Sequence, residues 1–235
     1  DDLLEDACQV FENGIGDPNL SSIYVGARGT GKTALLLHVS EEASARGWIY
    51  VNVTAVPGML EDILERARVA AAEFIERERK SALTGVNVGQ VLGVEWQPVA
   101  SDQGNWRTRM SRLFDQLSAH DVGLLITVDE VRVELGEMIQ LAAVYQHFVG
   151  ENRKVALFMA GLPGKVSSLL RNDSISFLRR ACLHKLGRIS DSDIYDALLK
   201  TVEEGGKSIE GEALLKAVDS IEGFPYLMQL VGYRM

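Results

Sequence analysis

Apolar positions along the chain alternate between two spacings, and the changes of spacing mark out its elements. Residues 2–12 set Leu3, Leu4, Ala7, Val10 and Phe11 at helical intervals, and residues 13–18 follow as a loop rich in Gly, Asn and Pro. Ile23, Tyr24 and Val25 form a short buried strand that breaks at Gly26. A helix-forming run from Ala34 continues to about Ala45 and stops at Gly47. Residues 48–53 read as a second strand. Beyond Pro57-Gly58 one long helix spans 59–80, with Leu60, Ile63, Leu64, Ala67, Ala71, Phe74 and Ile75 on its inner face. Residues 83–99 place Val86, Val88, Val91 and Val94 among glycines, which predicts a β-hairpin insertion. A helix over 106–120 turns Met110, Leu113, Phe114 and Leu117 inward and Arg107, Arg109 and Arg112 outward.

The run 122–128 is nearly all apolar, as in a strand buried on both faces, and 154–160 repeats that pattern. Between them 135–149 is an amphipathic helix. A short helix at 165–170, a polar linker and a brief strand at 182–186 follow. From Asp191 onward no strand is predicted. Ser190 or Asp191 caps one helix, a second covers about 210–221, and a third opens at Gly223-Phe224-Pro225. Strands alternating with helices predict an α/β core over 1–189, followed by a helical lid over 190–235.

The break after the first strand carries the chemistry. Gly26-Ala27-Arg28-Gly29-Thr30-Gly31-Lys32-Thr33 matches G-x-x-x-x-G-K-[ST] between a strand and a helix, the pattern of a phosphate-binding loop. Its glycines let successive backbone N–H groups turn inward toward phosphate oxygens. The helix start at Lys32, Thr33 and Ala34 adds unsatisfied N–H groups and the positive end of a dipole. Lys32 supplies a charge for the β- and γ-phosphates, and the Thr33 hydroxyl is a candidate Mg2+ ligand. The apolar run at 122–128 ends in Asp129-Glu130, at the carboxyl edge where α/β sheets bind ligands. Asp129 is the candidate acid for the Mg2+ shell, and Glu130 the candidate general base that polarises an attacking water. The loop before the first strand is a candidate neighbour of the nucleotide base.

Composition narrows the setting. A net charge of −9 gives no support to nucleic-acid binding by bulk electrostatics. Cys8 and Cys182 have no metal-like spacing and read as reduced thiols of a cytoplasmic protein, and the four histidines (His38, His120, His147, His184) have none either. No window is apolar enough for a membrane span. Starting at Asp1 without Met and stopping inside an apolar pattern, the chain reads as part of something longer.

The motifs GARGTGKT, LLITVDE and GFPYLMQ, in that order, resemble the AAA+ and STAND branch of P-loop ATPases. The chain is most similar to prokaryotic ATP-binding proteins related to origin-recognition-like and archaeal-type ATPases. That resemblance implies a five-stranded parallel sheet in order 5-1-4-3-2, with ATP and Mg2+ bound between core and lid. It implies that Pro225, in a G-x-P signature, lies against the adenine. It also implies that Arg179 or Arg180 acts as a finger on a neighbour's γ-phosphate, which requires a homo-oligomer. Two positions depart from the family pattern: Ala160-Gly161 stands where a polar sensor residue is expected, and residues 223–226 lack a sensor arginine. Two functions therefore stay open: an ATPase switch acting on a protein partner, and a nucleotide-dependent scaffold with little hydrolysis. A DNA-associated loader is a third, its DNA contacts lying outside this chain.

Overall fold

The computed structural model describes residues 2–84 and 104–234. Helix α1 (Asp2–Asn13) leads through a 3-10 turn (Pro18–Leu20) into strand β1 (Ser21–Val25) and helix α2 (Lys32–Ala45). Then come β2 (Ile49–Thr54), α3 (Met59–Thr84), α4 (Trp106–Ala119), β3 (Leu124–Asp129), α5 (Gly136–Gly150) and β4 (Val155–Gly161). Helix α6 (Pro163–Leu170), a 3-10 segment (Asp173–Arg180) and β5 (Cys182–Lys185) complete the sheet-forming part. Three helices follow: α7 (Asp191–Glu204), α8 (Gly211–Ile221) and α9 (Pro225–Arg234).

All five strands lie parallel in the order β2-β3-β4-β1-β5, the expected order read from the other edge. Burial follows position. β3 and β4 are buried on both faces and occupy the middle, whereas β2 and β5 alternate between covered and open residues at the edges. One face of the sheet packs Ile23, Val51, Ile126 and Leu157 against α3, α4 and α5. The other packs Tyr24, Leu125 and Phe158 against α1 and α2. A separate cluster of Ile194, Leu198, Leu214, Val218 and Ile221 holds α7, α8 and α9 together.

Helix starts are satisfied locally and at long range. Asn105 accepts from the Thr108 amide at the start of α4 (3.0 Å), and Ser190 accepts from Asp193 at the start of α7 (3.1 Å). The first turn of α3 is capped instead by Glu137 of α5, whose carboxylate accepts from the amides of Gly58 (2.8 Å) and Leu60 (2.9 Å). A partner 77 to 79 residues away leaves no local signal in the sequence.

Two differences from the sequence reading follow. The polar linker before β5 is a 3-10 segment, because Asn172 caps it through the Ser174 amide and Ile175 and Leu178 are buried. Helix α3 runs past Lys80 to Thr84, so residues 83 and 84 of the expected hairpin are helical, and the rest of that hairpin lies outside the described residues. The loop over 13–18 enters the amino end of β1, whereas the phosphate loop leaves its carboxyl end. A five-residue strand separates the two by about 16 Å. Among the described residues no helix is long and apolar enough to cross a membrane, and no cluster of three His, Cys, Asp or Glu side chains could hold a metal.

Trp48 shows how tightly the second face is filled. It is 1% exposed, its indole N–H donates to the Phe11 carbonyl (3.1 Å), and its ring meets that of Phe11 at 5.2 Å. Gly123 lies directly beneath it, where a Cβ would come within 2.6 Å of ring atom Cζ3. Gly123→Ala should therefore overpack the core and cost roughly 1–3 kcal/mol, read as a lower urea midpoint at unchanged slope.

Candidate functional site

At the carboxyl edge of the sheet the chain between Val25 and Lys32 curls into a cup. Gly29 (φ +79°) and Gly31 (φ +81°) take the left-handed backbone that side-chain-bearing residues resist. Gly26 is required for a different reason: a Cβ there would meet the Thr30 hydroxyl and come within 2.9 Å of the Leu186 carbonyl. Thr30 is buried and donates to the Ala27 carbonyl (2.9 Å), which holds the curl closed. Lys32 opens α2, and its ammonium folds back to donate to the carbonyls of Gly26 (2.9 Å) and Ala27 (2.7 Å). Partial burial depresses the Lys32 pKa, while the charges of Asp129 and Glu130 act to raise it. Ala34 is the third residue of α2, inside the first turn whose amides have no helical partner.

The acids arrive from β3. Thr33 Oγ1 donates to Asp129 Oδ2 at 2.5 Å, across 96 residues of sequence. The other oxygen, Asp129 Oδ1, accepts from the Glu130 amide (2.8 Å). That bond bends the chain so that Glu130 adopts φ +54° and stands exposed on the cleft. A left-handed glutamate costs on the order of 1–3 kcal/mol. The turn is held by the next residue, buried Val131, whose amide donates to the Ala160 carbonyl at the end of β4 (3.0 Å).

Arg28, Gly29, Lys32, Thr33, Asp129 and Glu130 thus line one cleft of about 780 Å³. The sequence reading missed three charged residues on its rim: Arg132, Glu134 and Lys165. Their signal is positional, because each follows the carboxyl end of β3 or β4. Lys165 and Glu134 pair at 2.7 Å, which lowers the Glu134 pKa. Gly161, at the sensor position, also faces the cleft. A Cβ there would come within 2.7 Å of Val131, so packing leaves no room for a polar side chain.

The first turn of α9 sits directly on the cup. The Tyr226 amide faces the Gly29 carbonyl (3.4 Å), and Pro225 Cγ would touch a Cβ placed on Gly31 at 3.4 Å. Arg188, in the connection after β5, lies 5.0 Å over the Phe224 ring. The two arginines before β5 are elsewhere, near the amino edge of the sheet. Arg179 donates to the Leu170 carbonyl (2.8 Å) and to Asp173 (2.8 Å). Arg180 instead borders a smaller pocket with Asp17, Tyr145 and Phe177.

The donor set at the cleft fits a magnesium ion: a hydroxyl and a carboxylate, both hard oxygens, brought together from separate elements. A cup of backbone amides beside a lysine fits polyphosphate.

No family model matches the chain, and no curated protein matches it in sequence. Solved structures do match. The Walker-type ATPase of Pyrococcus abyssi has a TM-score of 0.67 at 14% identity, over 97% of this chain and 66% of that one. The ORC2 protein of Aeropyrum pernix, solved as ADPNP–ADP complexes, has a TM-score of 0.59 at 18% identity, over 98% and 59%. AMPPCP-bound DnaA from Aquifex aeolicus has 0.58 at 13% identity, over 97% and 58%. The chain spans between 58% and 66% of the length of these three proteins. Together with the sheet order and the cleft, they give this chain the fold of the AAA+ P-loop ATPases of origin-recognition type.

Proposed function

We propose that the chain is an ATP-driven switch. It binds Mg·ATP in the cleft and hydrolyses it to ADP and phosphate. Its C-terminal helices act as a lid whose movement against the core alters the hold on a protein partner. The observation that carries this reading is the contact of Thr33 Oγ1 with Asp129 Oδ2, beside the Lys32 ammonium. Similar proteins solved with AMPPCP or ADPNP support the choice of nucleotide.

In this reading the amides from Gly26 to Ala34 cradle the phosphates, and Lys32 turns from the Gly26 and Ala27 carbonyls toward the β- and γ-oxygens. Thr33 and Asp129 would hold Mg2+, which neutralises charge on the β- and γ-phosphates. Glu130 accepts a proton from water as the water oxygen bonds to the γ-phosphorus. The bond from that phosphorus to the bridging oxygen of ADP breaks, and the electron pair leaves with ADP. Pro225, at Gly31, borders the nucleoside end. Between the two arginines Arg180 is the better finger for a neighbour's γ-phosphate, because Arg179 is committed to Leu170 and Asp173.

The scaffold reading, with tight nucleotide binding and little turnover, draws on one observation: the sensor position is Gly161, walled off by Val131. DNA contact, if the whole protein makes any, is assigned to regions outside this chain, in keeping with its acidic balance.

Three measurements separate these readings. Lys32→Ala removes a charged donor and should weaken ATP binding by at least roughly 10- to 150-fold, with the circular dichroism spectrum unchanged. Glu130→Gln should slow single-turnover hydrolysis by about 10² to 10⁴ while binding persists; equal rates would leave only the scaffold. Arg180→Ala should abolish any rise of specific activity with protein concentration, and a rise that survives the substitution would end its role between subunits.

A further inference from the structure

Below the Thr33–Asp129 contact, the same face of α2 makes a second polar contact with the sheet. Ser40 is fully buried and Thr127 is 1% exposed, yet both are polar. Ser40 Oγ and Thr127 Oγ1 each lie 2.7 Å from the side-chain amide oxygen of Asn52. Ser40 Oγ also lies 2.7 Å from the Leu36 carbonyl. Ser40 has one proton for two acceptors, so an amide turned end for end, with Nδ2 donating to both hydroxyls, satisfies the same contacts. In either orientation Asn52 of β2 bridges α2 to β3.

The placement is what gives this bridge a function. Thr127 is two residues before Asp129 on β3 and so shares its face of the sheet, while Asn52 pairs in register with Thr127, and Thr54 with Asp129. Ser40 is two turns after Thr33 on α2, about 10.5 Å along the axis. Apolar packing seats a helix on a sheet without fixing its direction closely, because it is non-directional. Two directional polar contacts two turns apart fix its height and rotation. Leu36, Val39 and Ala43 already supply the apolar seat of α2, so burial alone does not call for hydroxyls here.

We propose that Ser40, Asn52 and Thr127 are positioning residues that set the height and rotation of α2 against β3, so that the Thr33 hydroxyl and the Asp129 carboxylate meet as one divalent-cation site. This rests on the proposed function, since it presumes that those two oxygens hold Mg2+ with a nucleotide. The residues touch neither nucleotide nor metal, so their loss should appear in metal linkage rather than in phosphate binding.

The test measures affinity for a fluorescent ATP analogue on the intact chain, once with Mg2+ and once with EDTA. The ratio of the two affinities is the metal-dependent gain. Thr127→Val keeps the shape and removes the hydroxyl. It should leave the EDTA affinity within about twofold and lower the metal-dependent gain by roughly 10-fold or more, as loss of a group supporting a metal ligand does. Thr127→Ser should restore the gain. Ser40→Ala, with the thermal midpoint recorded alongside, should repeat the loss from the helix side and serves if Thr127→Val does not fold. An unchanged gain in both variants overturns the proposal. So does an equal fall in both affinities, which would make the bridge merely structural. A wild-type chain that binds no nucleotide in either condition overturns the proposed function and this inference with it, a result distinct from the other two.

Discussion

Two oxygens that lie 96 residues apart in sequence, on Thr33 and Asp129, come within hydrogen-bonding distance, and the sheet exists in the form that brings them there. Parallel strands put every carboxyl end on one edge, so a loop after β1 and acids after β3 share an edge without being strand neighbours. β4 lies between β1 and β3, and it ends in Ala160-Gly161, too small to fill the gap. The cleft opens over that end.

The cleft also shows how local strain is held by longer-range bonds. Glu130 takes a left-handed backbone without being glycine, and the turn is secured on both sides, by Asp129 Oδ1 on its own amide and by Ala160 on the amide of Val131. A rigid turn points an exposed carboxylate at the cleft. The same economy appears at α3, whose free amides are met by Glu137 from another helix.

Much of this was legible in the sequence because each signal was local. The strand-glycine-helix order around Lys32, the apolar runs ending at Asp129 and Gly161, and the cap at Ser190 each depend on residues a few positions apart. What was not legible depends on contacts between distant residues. The 3-10 segment at Asp173–Arg180 is stabilised by burying Ile175 and Leu178, and its polar residues alone looked like a linker. Arg132, Glu134 and Lys165 carry no motif and gain a place at the cleft only through the strands they follow. Asn52 and Thr127 read as ordinary strand residues until their register and the approach of Ser40 were known.

The seat of α9 on the cup bears on how glycines in such loops are understood. A methyl group on Gly31 would lie 3.4 Å from Pro225 and one on Gly29 3.5 Å from Tyr226, and both glycines adopt a left-handed backbone. Those are ordinary contact distances, so the dihedral angle is what holds both positions to glycine, while the helix rests on the loop at van der Waals range. If the loop holds phosphate as proposed, it is a bearing surface as well, so any widening of it to admit a bulkier occupant must also lift the helix.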